Sequence, residues 1–221
     1  MPILSADDRE TVRRHLAGLI HPVVLLHFTQ TFGGPESLIA SRQILDEVKS
    51  LNDLIAVEEV NFVLDKERVD AFGILGVPAI AVLRGQVDTR MRFLGAPAGY
   101  EFVSLVDAIL AAGTDDSELT DDSRALLATV TEPLEIKVFV TPTCPHCPRA
   151  VTLAHRMAQA NPLITATCVE ATAFMDLSRQ FRVNGVPKTV VNGTTEILGA
   201  LPEAEFIRAV IGQSTTSDGA V

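Results

Sequence analysis

Cysteine is scarce in this chain: three thiols in 221 residues. That is too few for a disulfide framework, so thiols here serve reactivity or metal binding rather than scaffolding. Long apolar runs are missing too; none approaches the roughly 20 residues a membrane span needs, so no membrane partner is expected. Basic charge is also short, with 18 Lys and Arg against 28 Asp and Glu and a net charge of −10. Nucleic acid and anionic lipid both require a basic face, which excludes them as expected partners. Residues 1–10 lack the basic-then-apolar layout of an export signal. With so few cysteines, a reducing, cytoplasmic compartment is expected. The 47% apolar content is that of a folded globular chain.

Two of the three cysteines stand two residues apart in Thr141-Pro142-Thr143-Cys144-Pro145-His146-Cys147-Pro148. An apolar run (Ile136, Val138, Phe139, Val140) stops just before them. A helical pattern (Ala150, Val151, Ala154, Met157, Ala158) starts just after. A strand feeding a helix through C-x-x-C is the arrangement in which two thiols cycle between dithiol and disulfide. Cys144 is expected at the N-cap, where backbone N–H groups and the helix dipole favour its thiolate. Cys147, a turn further in and more buried, suits the resolving role. Pro145 is expected at the first helical position, and His146, when protonated, would tune the pair toward oxidation.

The rest of the chain repeats itself. Thr29-Gln30-Thr31 answers Thr141-Pro142-Thr143, Gly76-Val77-Pro78 answers Gly185-Val186-Pro187, and Leu94-Gly95-Ala96 answers Leu198-Gly199-Ala200. Each copy reads helix, strand, helix, strand, short helix, two strands, helix. The acidic stretch Thr114–Thr120 is the expected junction. The domains are read as 1–115 and 116–213, with a disordered tail over 214–221. The fold class is α/β: two tandem units, each a mixed sheet flanked by helices. Where the second copy has Cys144 and Cys147, the first has about Phe32 and Pro35, so it carries no redox pair.

Val186-Pro187, opening a strand after a glycine, reads as the backbone edge on which an extended substrate segment pairs beside Cys144. Glu170, just past a strand, is a candidate proton acceptor for Cys147, against the plainer reading of a solvated strand end. Cys168 reads as a small core residue. Lys137 and Lys188 read as surface charge, and His15, His21, His27 and His155 show no ligand spacing. A zinc site is the strongest rival reading, with His146, His155 and Cys168 as the available extra ligands, but no second C-x-x-C exists.

On these residues the chain resembles the glutaredoxin-like protein disulfide oxidoreductases, which are tandem thioredoxin-fold proteins. The similar stretches are 140–148 around the cysteines, Ala154-His155, and Phe93-Leu94-Gly95-Ala96-Pro97-Ala98-Gly99-Tyr100-Glu101-Phe102. One thiol-free and one thiol-bearing unit also resembles the N-terminal domain of the flavoprotein component of alkyl hydroperoxide reductase. The C-P-H-C itself is similar to that of periplasmic thiol oxidants. The resemblance implies Cys144 as nucleophile, Cys147 as resolver and Pro187 as a cis-proline. It implies disulfide-bearing protein substrates, a thioredoxin-reductase-type donor, a peroxiredoxin as one acceptor, and no cofactor beyond the Cys144–Cys147 pair. Reduction or exchange of protein disulfides is the leading expectation. Thiol oxidation or isomerisation, and a redox- or zinc-responsive binding module, remain as alternatives.

Overall fold

The computed structural model describes residues 4–31 and 33–212. Phe32 and the tail expected over 214–221 lie outside the described residues. The first half runs α1 (Ala6–Leu16), β1 (Val23–Thr29), α2 (Ser37–Lys49), β2 (Ile55–Asn61), α3 (Lys66–Ala71), β3 (Ala79–Arg84), β4 (Val87–Leu94) and α4 (Glu101–Gly113). The second repeats it with α5 (Asp121–Leu127), β5 (Leu134–Val140), α6 (Cys147–Ala160), β6 (Ile164–Glu170), α7 (Met175–Gln180), β7 (Lys188–Val191), β8 (Thr195–Leu198) and α8 (Glu203–Ile211).

Local chemistry sets these boundaries. Ser5 caps α1 by accepting the Asp8 N–H at 3.1 Å, and Thr120 caps α5 in the same way through Ser123. The apolar spacing through Ile20 predicts a longer α1, but the helix stops at Leu16 and leaves Ile20 exposed. Gly18, just beyond the end, is a poor helix former. Asn192 and Gly193 both take positive φ, the turn that lets β7 fold back as β8.

Each half builds a four-stranded mixed sheet. β1 pairs parallel with β2 and antiparallel with β3, and β3 pairs antiparallel with β4; β5 to β8 repeat the pattern as β6-β5-β7-β8. The two sheets do not stand apart. β4 pairs parallel with β6, from Met91↔Ala166 to Leu94↔Val169, giving one sheet in the order β2-β1-β3-β4-β6-β5-β7-β8. Strands covered on both faces must be apolar throughout, as β3 and β5 largely are. One face carries a continuous apolar cluster that includes Leu25, Phe93, Ile109, Val138, Met157 and Phe206. The other carries a second cluster around Phe28, Val69, Phe139 and Val169.

The internal repeat extends to fine detail. Phe28 tilts against Phe72 at 5.9 Å between ring centroids, and Phe139 against Phe181 at 5.7 Å. Gly95 N–H donates to the Pro78 carbonyl, and Gly199 N–H to that of Pro187. The Val77-Pro78 and Val186-Pro187 peptide bonds are both cis. Even the acidic junction is anchored, because Leu119 is buried in the larger cluster.

Candidate active site

β5 delivers the chain to a turn in which the Cys144 N–H donates to the Thr141 carbonyl at 3.1 Å, and α6 begins at Cys147. This corrects the expectation that Cys144 caps the helix and Pro145 fills its first position. His146 holds the cap position without a side-chain cap bond, and Pro148 sits in the first turn. Proline has no N–H, so the bond from residue 148 back to Cys144 that would start the helix earlier cannot form. Cys144 therefore precedes the positive end of α6 by one turn and still lies in its field.

Cys144 and Cys147 are joined as a disulfide with Cα atoms 5.5 Å apart. Their exposure differs in a way that matters chemically: Cys144 is 9% exposed and Cys147 0%. Pro145 and His146 are exposed beside them. Val186 packs against the apolar cluster that holds both cysteines, and with Pro187 it lines a cleft of about 550 Å³ with Arg182, Leu198 and Gly199.

The first half reaches into this site. The Tyr100 N–H donates to the Pro142 carbonyl at 3.0 Å, tying the start of α4 to the cysteine turn. Gly99, at φ +60°, lies so close to Pro142 that a Cβ would overlap its carbonyl. Gly95, at φ +104°, leaves the same lack of room against the Glu170 side chain. These glycines belong to the 93–102 stretch, and close backbone approach is what they provide.

Glu101 follows directly and is the residue that sequence reading missed. It is 2% exposed, accepts from Ser104 Oγ at 2.6 Å, and its Oε2 lies 3.7 Å from the Cys168 thiol. Its Oε1 has no partner among the described residues. Burial raises its pKa to about 7, against the opposing bonds from Ser104 and Cys168. The signal was present as Gly-Tyr-Glu-Phe at a helix start, but nothing in the spacing told that the helix is packed on the other half.

Glu170, the sequence candidate for that role, is half-buried, and both its oxygens are occupied. They accept from Thr172 N–H and Oγ1 at 3.0 and 2.6 Å and from Ala173 N–H at 2.7 Å, so the residue caps the turn before α7. Cys168 is a buried core thiol, as expected, with burial and the nearby Glu101 pushing its pKa up. Lys137 and Lys188 are not surface charges: both are buried, Lys137 paired with Glu135 and Lys188 with Glu196. Strand alternation puts them with Phe139 and Val190, on the sheet face away from the cysteines. His155 is buried against Phe93 and the Arg92 carbonyl.

Residues 134–212 match the thioredoxin domain family model. The second half is a thioredoxin domain. The whole chain is similar to the alkyl hydroperoxide reductase protein AhpF, with 23% identity over 94% of this chain for the Escherichia coli protein and 26% over 99% for that of Pseudomonas putida. It spans only 37% and 38% of those relatives' lengths. Among solved structures, the NTD_N/C domain of AhpF from Enterococcus faecalis superposes with a TM-score of 0.88 at 26% identity, covering 94% of this chain and 99% of that one. A protein disulfide oxidoreductase from Aeropyrum pernix gives 0.84 at 29% identity, covering 93% and 91%. The tandem thioredoxin fold and the placement of a disulfide in its second half thus accord with both resemblances seen in the sequence. Among the described residues no helix is long and apolar enough to cross a membrane.

Proposed function

We propose that the protein is a thiol–disulfide oxidoreductase that works through the single Cys144–Cys147 pair, passing two electrons from a reductase-type donor to a disulfide in a partner protein. The observation that carries this reading is the unequal exposure of the two sulfurs at the head of α6. A partner can reach Cys144 but not Cys147. In the reduced protein the Cys144 thiolate attacks one sulfur of the partner's disulfide, and the other sulfur leaves as a thiolate. The partner segment lies along Val186 and Pro187 during this step. Cys147 then gives up its proton and attacks the Cys144 sulfur. The partner departs as a dithiol, and the Cys144–Cys147 disulfide is restored. Glu101, buried beneath the same turn and changing charge near neutrality, is the group we assign to hold that proton.

The relatives named above point to a peroxiredoxin as the disulfide-bearing acceptor and to a flavoprotein reductase as the electron source. Domain limits near residue 115 fit this division of labour, the thiol-free half supplying Glu101 and the seam. The test is trapping. A Cys147→Ser protein should accumulate mixed disulfides on Cys144 with its partner, and the wild type should turn over a protein disulfide with dithiothreitol. No turnover, or stoichiometric zinc that shields Cys144 from alkylation, would sink the reading.

A further inference from the structure

Two clefts flank the cysteine pair and share one loop. The first, of about 340 Å³, is lined by Val103, Pro148, Arg149, Leu153 and Leu201. The second is the cleft of Val186 and Pro187, to which the same loop gives Leu198 and Gly199. Their charges are unequally satisfied. In the first, Asp107 accepts from Thr152 Oγ1 at 2.9 Å, Glu203 accepts from Thr120 N–H and Oγ1 at 3.0 and 2.8 Å, and Arg156 pairs with Glu118. In the second, Glu196 pairs with Lys188 at 2.8 Å. Arg149 and Arg182 remain. Both are exposed, and neither guanidinium has an ion pair or hydrogen bond among the described residues.

We infer that the disulfide served by Cys144 lies in an anionic segment of its partner, one that presents Asp or Glu to Arg149 on one side and to Arg182 on the other. Every carboxylate lining the clefts already has a donor, so the uncompensated charge next to the reactive sulfur is positive. The molecule as a whole carries −10. A local patch opposed to the overall charge steers oppositely charged partners to one place and repels them elsewhere. Arg suits this work because its fork takes a carboxylate bidentately. Leu198, 68% exposed, and Val103, 52% exposed, add apolar contact beside each arginine. The inference rests on the exchange chemistry proposed for Cys144 and adds to it the kind of segment that chemistry selects.

The test uses the full reduced chain and three extended peptides. Each carries one cysteine in a mixed disulfide with a chromophoric thiol, flanked by Glu, Gln or Lys. We expect the Glu peptide to react faster than the Lys peptide by on the order of tenfold at low ionic strength, with the Gln peptide between them. The ratio should shrink toward one in about 0.5 M salt. In an Arg149→Glu/Arg182→Glu protein the ratio should invert. Reading a ratio within one protein removes any change in the thiolate itself, and the wild-type ratio decides the matter even if the variant does not fold. Equal rates, or a faster Lys peptide, with exchange intact would overturn the inference alone. Release of the chromophore from none of the peptides would overturn the proposed function beneath it.

Discussion

Glu101 Oε2, on α4 of the first half, lies 3.7 Å from the Cys168 thiol on β6 of the second. The contact crosses the β4–β6 seam, so the carboxylate assigned to the redox pair is held partly by a cysteine that takes no part in the redox cycle. The thiol stabilises the ionised form, which lowers the pKa of Glu101 against the larger effect of burial. Cys168→Ala should therefore move the pH midpoint of disulfide exchange upward. Cys168→Ser, which keeps a donor, should bring it back. Stopped-flow rates across pH 5–9 would show whether the midpoint responds to the donor or only to the change in packing.

Glu101 also couples stability to pH. Its folded pKa, about 7, stands above the ordinary value of 4.5, so the folded state holds the proton more tightly. The stability this provides is complete below 4.5 and is lost as pH rises through 7. Glu101→Gln should match the wild type at pH 4 and exceed it at pH 8, by up to about 3 kcal/mol from the pKa difference. Urea unfolding at the two pH values measures the gap. The same variant should lose the rise of exchange rate near pH 7.

The buried histidines act with the opposite sign. Burial lowers His27 and His155 from 6.5 to about 4. Arg42 adds to the effect at His27, and Arg92 at His155. Each folded state prefers the neutral ring, so stability present above pH 6.5 is lost as pH falls toward 4. His155 packs edge-on to Phe93 with ring centroids 5.0 Å apart, and its Nδ1 has no partner among the described residues. His155→Phe keeps an aromatic ring there and removes the titration. Acid unfolding of this variant should begin at a lower pH than in the wild type. An unchanged acid limb would place the titration elsewhere.

Gly99→Ala should cost more than an ordinary surface change. Positive φ alone costs an L-residue about 1–2 kcal/mol, and here the Cβ would also meet the Pro142 carbonyl. Relief requires pulling the start of α4 away from the cysteine turn. Loss of stability should come with slower alkylation or exchange at Cys144, whereas Gly73→Ala, also at positive φ but with open space around it, should lose stability without touching the thiols.

The sequence by itself determined the local units and the chemistry. Helical and alternating spacings place the helices and strands to within a few residues, because 3.6- and 2-residue periods are properties of the backbone. The repeat of Gly-Val-Pro and Leu-Gly-Ala established that the units are two of a kind, and Cys144 and Cys147 announced the reaction because few other arrangements use that spacing. What only the tertiary structure decided is everything that crosses between the halves. β4 joins β6, the two sheets become one, and Glu101 rather than Glu170 comes to lie under the cysteine turn. Glu170 and Glu101 are both acids beside apolar runs, and sequence spacing cannot tell which will lose its water. That depends on which helix face a distant strand covers. It also decided that α6 starts at Cys147 and that Lys137 and Lys188 are buried. Burial is a property of the assembled fold, and it sets the pKa of Glu101 and the accessibility of each sulfur.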